Sequence, residues 1–193
     1  MFTVVSRLAK FLICCVMAIG ICDTSMGQAI LAPPFGLHWG DTPDKVLNWA
    51  YDKKLDVTMK MPGKEPELRI IRVESASGSL PGHQAYALEA RYHQGKMFEV
   101  ALHYGAPDVD SKRALTDFNE LKSSLTLKHG VFTPNNKQEK NEAGFIRKSV
   151  SYHIEPVRGL MLLLVLSELE DTIRKKHSTR FSLLYRNQNI IPK

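Results

Sequence analysis

Gln84-Ala85-Tyr86-Ala87-Leu88-Glu89-Ala90-Arg91-Tyr92-His93-Gln94-Gly95-Lys96-Met97-Phe98-Glu99-Val100-Ala101-Leu102-His103-Tyr104 decides the fold. Tyr86, Leu88, Ala90 and Tyr92 alternate with smaller or charged residues, and Phe98, Val100, Leu102 and Tyr104 do the same beyond Gln94-Gly95. A period of two marks half-buried strands, and the short polar interval marks a hairpin. A two-residue Gln94-Gly95 loop would pair Tyr92 with Met97 and send the two apolar sets to opposite sides of the sheet. A three-residue loop, His93-Gln94-Gly95, pairs Ala90 with Phe98 and Leu88 with Val100, and puts Gly95 where a left-handed conformation is required. That register is the predicted one. It leaves Glu89 opposite Glu99 on the other face, with Arg91 and His103 nearby.

Working outward, Leu55 to Met61 and Glu67 to Glu74 read as strands separated by a turn at Pro62-Gly63. Before them, Phe35-Gly36-Leu37-His38-Trp39-Gly40 reads as a short strand ending in a turn, followed at once by a helix. Asp41 or Thr42 can cap that helix, Pro43 suits its first turn, and Asp44 favours the positive end of its dipole. Val46, Leu47, Ala50 and Tyr51 share one of its faces, with Trp49 on the shoulder. A second helix is predicted from Val109 to Lys128, with Asp108 and Asp110 at its start and Gly130 placed to end it. Its apolar stripe is Ala114, Leu115, Phe118, Leu121 and Leu125.

Asn135 to Ala143 is polar throughout and reads as a loop within the domain. Phe145 to Ile154 alternates, Leu160 to Leu166 is a continuous apolar run compatible with a central buried strand or a short helix, and Arg180 to Arg186 supplies a last strand. No internal repeat is visible. Strands outnumber helices and hairpins dominate, so the predicted class is α+β, an antiparallel sheet with two amphipathic helices packed on one face. A β-sandwich with helical decorations is the alternative, which two strongly amphipathic helices disfavour.

The first 29 residues set the address. Arg7 and Lys10 precede the apolar run Phe11 to Ile21, and Gly27-Gln28-Ala29 places small residues where a signal peptidase reads, which predicts a cleaved signal peptide and a mature domain from Ile30 to Lys193. A retained anchor is the rival, but the twelve uncharged residues between Lys10 and Asp23 make about 18 Å of helix against a hydrocarbon core of about 30 Å. A lipoprotein signal would need a small residue before its cysteine, and Ile13, Cys14 and Ile21 precede the three candidates. Cys14, Cys15 and Cys22 all lie in this segment, so the mature chain can form no disulfide. Together with the lack of glycosylation sequons, this points to a bacterial periplasmic or secreted protein. Its length allows one core.

Of 26 Lys+Arg and 20 Asp+Glu, the leader carries two cations and one anion, so the mature domain keeps a mild basic excess. That permits attraction to an anionic envelope component, although Arg174-Lys175-Lys176-His177 reads best as a solvated face. Export argues against nucleic acid as the partner. The mature chain holds no nucleophilic cysteine, no Gly-x-Ser-x-Gly and no Ser-x-x-Lys. The seven histidines form neither His-x-x-x-His nor His-Glu-x-x-His, and His153 with Glu155 supplies only two ligands on one strand face, so no metal or cofactor is expected.

The candidate ligand-binding residues are therefore Glu89, Arg91, Glu99 and His103, because like charges across a ladder are destabilising and invite an explanation. Two glutamates merely repelling each other in water would instead predict a gain in stability on replacing both by glutamine. Trp39 and Trp49 could stack on sugar rings, but their positions fit the edge of a two-layer core better.

Phe35-Gly36-Leu37-x-Trp39-Gly40-x-Thr42-x-x-x-Val46 resembles the opening of small exported bacterial proteins of unknown function, a group without a known activity. Leu121-Lys122-x-x-Leu125-x-x-Lys128-x-Gly130, the Gly95 to Val100 hairpin and Leu183-Leu184-Tyr185 are similar to that group in the same order. Gly40-x-Thr42-x-x-x-Val46 also resembles the repeat opening of outer-membrane assembly lipoproteins of β-lactamase-inhibitor-protein-like fold, whose lipid-bearing cysteine has no counterpart here. The functional expectation is a non-enzymatic envelope-binding domain that does not span the membrane. An envelope-directed hydrolase using Glu89 and Glu99 is the alternative.

Overall fold

A computed structural model describes residues 31–63, 65, 67–105, 109–142 and 144–191. The predicted leader and Asp108 lie outside the described residues. Leu31–Lys193 forms one compact unit. In chain order it runs α1 (Pro43–Asp52), β1 (Asp56–Lys60), β2 (Leu68–Glu74), β3 (Ala87–His93), β4 (Lys96–Tyr104), α2 (Ser111–His129), β5 (Thr133–Glu142), β6 (Phe145–Val157), β7 (Leu160–Asp171) and β8 (Lys176–Asn187). A helix followed by four strands thus occurs twice, a duplication of topology that residue identities do not reveal. All eight strands join one antiparallel sheet in the order β1-β2-β3-β4-β8-β7-β6-β5, so the last strands of the two units meet at a central seam. The class is α+β. Among the described residues no helix is long and apolar enough to cross a membrane.

One sheet face is apolar. Across it run Val73, Leu88, Leu102, Leu183, Leu164 and Tyr152 in register, and beside them Ile71, Ala90, Val100, Tyr185, Leu162 and Ile154. Val46 and Ala50 of α1 and Phe118 and Leu125 of α2 belong to the same buried cluster. Phe118 meets Phe181 edge-on at 5.7 Å between ring centroids, and Phe181 stacks on Tyr104 at 4.5 Å. Removing this apolar surface from water is the main driving force for the fold. Tyr51 and Leu115 leave the predicted stripes and are exposed, Tyr51 because it lies a full step round the short helix from the Val46–Ala50 line.

Two predicted elements change. Residues 35 to 40 are turns and not a strand, since Phe35 and Gly36 both have positive φ. The segment is tied to β4 by Gly40 N–H donating to Met97 O (2.9 Å) and Met97 N–H donating to Asp41 O (3.0 Å). Thr42 occupies the cap position of α1 without a side-chain bond, while Asp41 accepts from the His38 N–H. The polar stretch predicted as a loop is β5, a sheet-edge strand exposed at every residue. A strand with Pro134 and charges on both faces carries no apolar period, and such composition is what keeps an edge from recruiting further strands.

Trp39 and Trp49 both pack against the core cluster, Trp39 through an indole N–H to Leu31 O at 2.6 Å and Trp49 against the Phe35 ring. Leu160 to Leu166 lies within strand β7, flanked by β6 and β8.

Candidate functional site

The β3–β4 hairpin departs from the predicted register. His93 pairs with Lys96, so the loop is the two-residue Gln94-Gly95, with both residues at positive φ (49° and 75°) as a primed hairpin turn requires. Tyr92 does face Met97. The resulting conflict between apolar sets is removed by a β-bulge: Arg91 pairs with Glu99, which leaves Phe98 as the extra residue. Beyond it Ala90 faces Val100 and Leu88 faces Leu102, all on the apolar side.

The bulge therefore rewrites the candidate site. Glu89 lies opposite Ala101, and Glu99 lies opposite Arg91 on one side and Arg186 of β8 on the other. The like-charge pair expected from sequence does not exist. Arg91 donates from Nε and Nη2 to Glu89 Oε1 at 3.0 and 2.9 Å, and its Nε is 3.3 Å from Glu99 Oε1. Arg186 Nε donates to Glu99 Oε2 at 2.5 Å, with Nη2 of the same guanidinium on that oxygen. Glu99 has no exposed surface: Arg186 donates to its Oε2, while Oε1 has the ion-pair approach of Arg91 but no hydrogen-bond partner among the described residues, so the two arginines offset its charge in place of water. Arg186, 87 residues away, was not legible as a site residue before the β4–β8 pairing was known.

The ladder continues on β2. Arg72 Nε donates to Glu74 Oε1 at 2.6 Å. Burial pulls the Arg72 guanidinium down, but hydrogen bonds to Glu74 and Tyr86 outweigh it and hold it above its ordinary range. His103 shares this face and pairs across the seam with Ser182, its Nδ1 2.9 Å from the Ser182 hydroxyl. Its Nε2 is buried and finds no hydrogen-bond partner among the described residues. Burial lowers the His103 pKa, Arg72 and Arg91 lower it further, and Glu89 and Glu74 oppose them.

All four candidates thus share one sheet face, as three ion-paired residues and one half-buried histidine. Past the seam the same face turns aliphatic: Leu184 pairs with Leu163, Ser182 with Val165 and Arg186 with Met161, all partly exposed. His153 faces Leu163 there, while Glu155 accepts from the Gly159 N–H and shapes the β6–β7 turn. A groove of about 440 Å³ near the start of α2, with Lys112, Lys148, Glu168, Glu170 and His177 among its walls, includes none of the four candidates.

Comparison with known proteins adds no family to this geometry: no family model matches the chain, and no curated protein and no solved structure matches it.

Proposed function

We propose that this chain is an exported bacterial domain, periplasmic or secreted after cleavage near Ala29, that binds an envelope protein or anionic envelope component without transforming it. The observation that carries the reading is the mixed sheet face, where ion pairs on β2 to β4 and β8 adjoin the partly exposed aliphatic residues Met161, Leu163, Val165 and Leu184. Apolar contact area bordered by ordered charge is the chemistry of a recognition surface, in which the aliphatic strip supplies affinity and the ladder supplies discrimination. The carboxylates engage guanidinium groups, which leaves Glu89 and Glu99 poorly placed for acid–base work on a substrate.

Both helices, in the same proposal, cover the apolar face and leave the mixed face to the partner. Support comes from the single buried cluster that contains Val46, Ala50, Phe118 and Leu125 together with Ile71, Leu102 and Leu183. The resemblance to small exported proteins of unknown function agrees with this reading and adds no activity to it.

The test has two arms. Mass analysis of protein exported by its own host should find a chain beginning at Ile30, and native mass spectrometry of the envelope fraction should find a retained partner that Leu163→Asp releases while the fold persists. A chain recovered from the cytoplasm with residues 1–29 attached refutes export. Turnover of a peptidoglycan or ester substrate that Glu89→Gln and Glu99→Gln abolish refutes the binding role.

A further inference from the structure

The two edges of the sheet are built differently. β5 is polar on both faces, whereas β1, exposed at every residue, carries Val57 and Met59 on the apolar face and Asp56, Thr58 and Lys60 on the other. Val57 is 41%, Met59 48% and the following Met61 65% exposed. Among the described residues no strand pairs with the outer side of β1. An apolar edge of this kind is a template for another strand.

We propose that the β1 edge is the interface of a two-fold homodimer, in which β1 pairs antiparallel with β1 of a second copy about Thr58. The sequence Asp56-Val57-Thr58-Met59-Lys60 is self-complementary in that register. Asp56 meets Lys60 of the second copy, Val57 meets Met59, and Thr58 meets Thr58, while the flanking Leu55 meets Met61. Each contact occurs twice except Thr58 with Thr58, which lies on the two-fold axis and occurs once. Opposite charges directly across a ladder are favourable and like charges are not, so a shift by two residues, which abolishes the Asp56–Lys60 match, is disfavoured. The register pairs residues of equal parity, so apolar side chains stay on the apolar face and outward-pointing backbone groups meet outward-pointing backbone groups. Lys60, a charge that would face another lysine if it met Lys60 of the second copy, here meets an aspartate. The result joins two eight-stranded sheets edge to edge and makes their mixed faces continuous.

Sedimentation equilibrium over a wide concentration range, on protein expressed from the full sequence and exported, should show a monomer–dimer equilibrium. Asp56→Lys and Lys60→Asp should each weaken it about tenfold or more by opposing like charges twice, and the double exchange Asp56→Lys/Lys60→Asp should restore it. Thr58→Cys should give a disulfide-linked dimer on oxidation that the wild-type protein does not, because facing Cα atoms at about 4.5 or 5.5 Å suit a disulfide in either class of pair. Circular dichroism of each variant, all at exposed positions, checks that the sheet is intact. A monomer at every concentration, which would leave the edge to a strand of another chain, overturns the proposal. A dimer indifferent to both single charge reversals overturns it equally.

Discussion

Glu99 on β4 and Arg186 on β8 stand directly opposite each other across the seam between the two helix-plus-four-strand units. The Glu99 side chain is almost wholly dry, while that of Arg186 keeps a third of its surface in water, so the pair straddles the edge of the protein interior. A carboxylate in that position depends on its donors, and Arg91 provides the second guanidinium from β3. The seam is therefore joined by charge on one sheet face and by Leu102 against Leu183 on the other.

Arg186→Gln is expected to lower unfolding free energy by about 2 kcal/mol, because it strips a buried carboxylate of its closest partner. Glu99→Gln should also destabilise, opposite in sign to what two repelling surface glutamates would give. Urea unfolding of the two single variants and the double variant should show a combined loss smaller than the sum. Strict additivity would mean that the pair does not interact.

Stability should fall on mild acidification. His103 has an ordinary pKa of 6.5, lowered in the fold by burial and then by Arg72 and Arg91 against the opposing Glu89 and Glu74, with Ser182 on its Nδ1. As the pH drops below about 6.5 the unfolded chain takes up a proton that the folded chain refuses, so stability complete above 6.5 is lost toward the lowered folded value. His83 and His129, also lowered chiefly by burial, add in the same direction. Urea midpoints at neutral and mildly acidic pH should therefore differ, and His103→Gln should shrink the difference; an unchanged slope in that variant would count against the assignment.

Gly105 ends β4 with φ at 76°, and a Cβ there would lie 2.7 Å from Thr179 O and 3.2 Å from Arg180 Cα. Gly105→Ala should cost about 3 kcal/mol, backbone strain and overpacking together. Gly95→Ala has a similar φ of 75° but nothing within 4 Å, and should cost only about 1 kcal/mol. Thermal midpoints that drop equally would show that the close approach at Gly105 does not matter.

The bulge makes an unusual deletion tolerable. Removing Phe98 leaves Tyr92–Met97 and Arg91–Glu99 as consecutive pairs of a regular hairpin, so the domain should still fold, weakened by about 3 kcal/mol through loss of a buried aromatic ring. Removing Ala101 instead turns Leu102 and Tyr104 onto the charged face, and cooperative unfolding should disappear. If the Phe98 deletion unfolds as completely as the Ala101 deletion, the bulge is not what sets the register.

Much of the architecture was legible along the chain. The period-two runs at Ala87–His93 and Lys96–Tyr104 located β3 and β4, and Pro43 and Gly130 marked a helix start and a helix end. β5 was hidden because an edge strand polar on both faces has no apolar alternation to detect. The strand expected at residues 35 to 40 failed because two consecutive positive φ values make a turn of an apolar-looking segment.

Of the candidate site, Glu89, Arg91, Glu99 and His103 do share one face, but the reason given for choosing them, two glutamates face to face, depended on a hairpin register that one extra residue changes.

Local periodicity by itself determined most of the secondary elements and which side chains could be buried, since these follow from short-range geometry and transfer from water, and composition alone showed a thiol-free chain beyond residue 29. Only the tertiary structure decided that β4 pairs with β8, that Arg186 reaches Glu99, and that two like units share one sheet. Strand partners far apart in the chain are chosen by the global burial of an apolar face, and a bulge resolves a conflict between turn and core that neither segment registers alone.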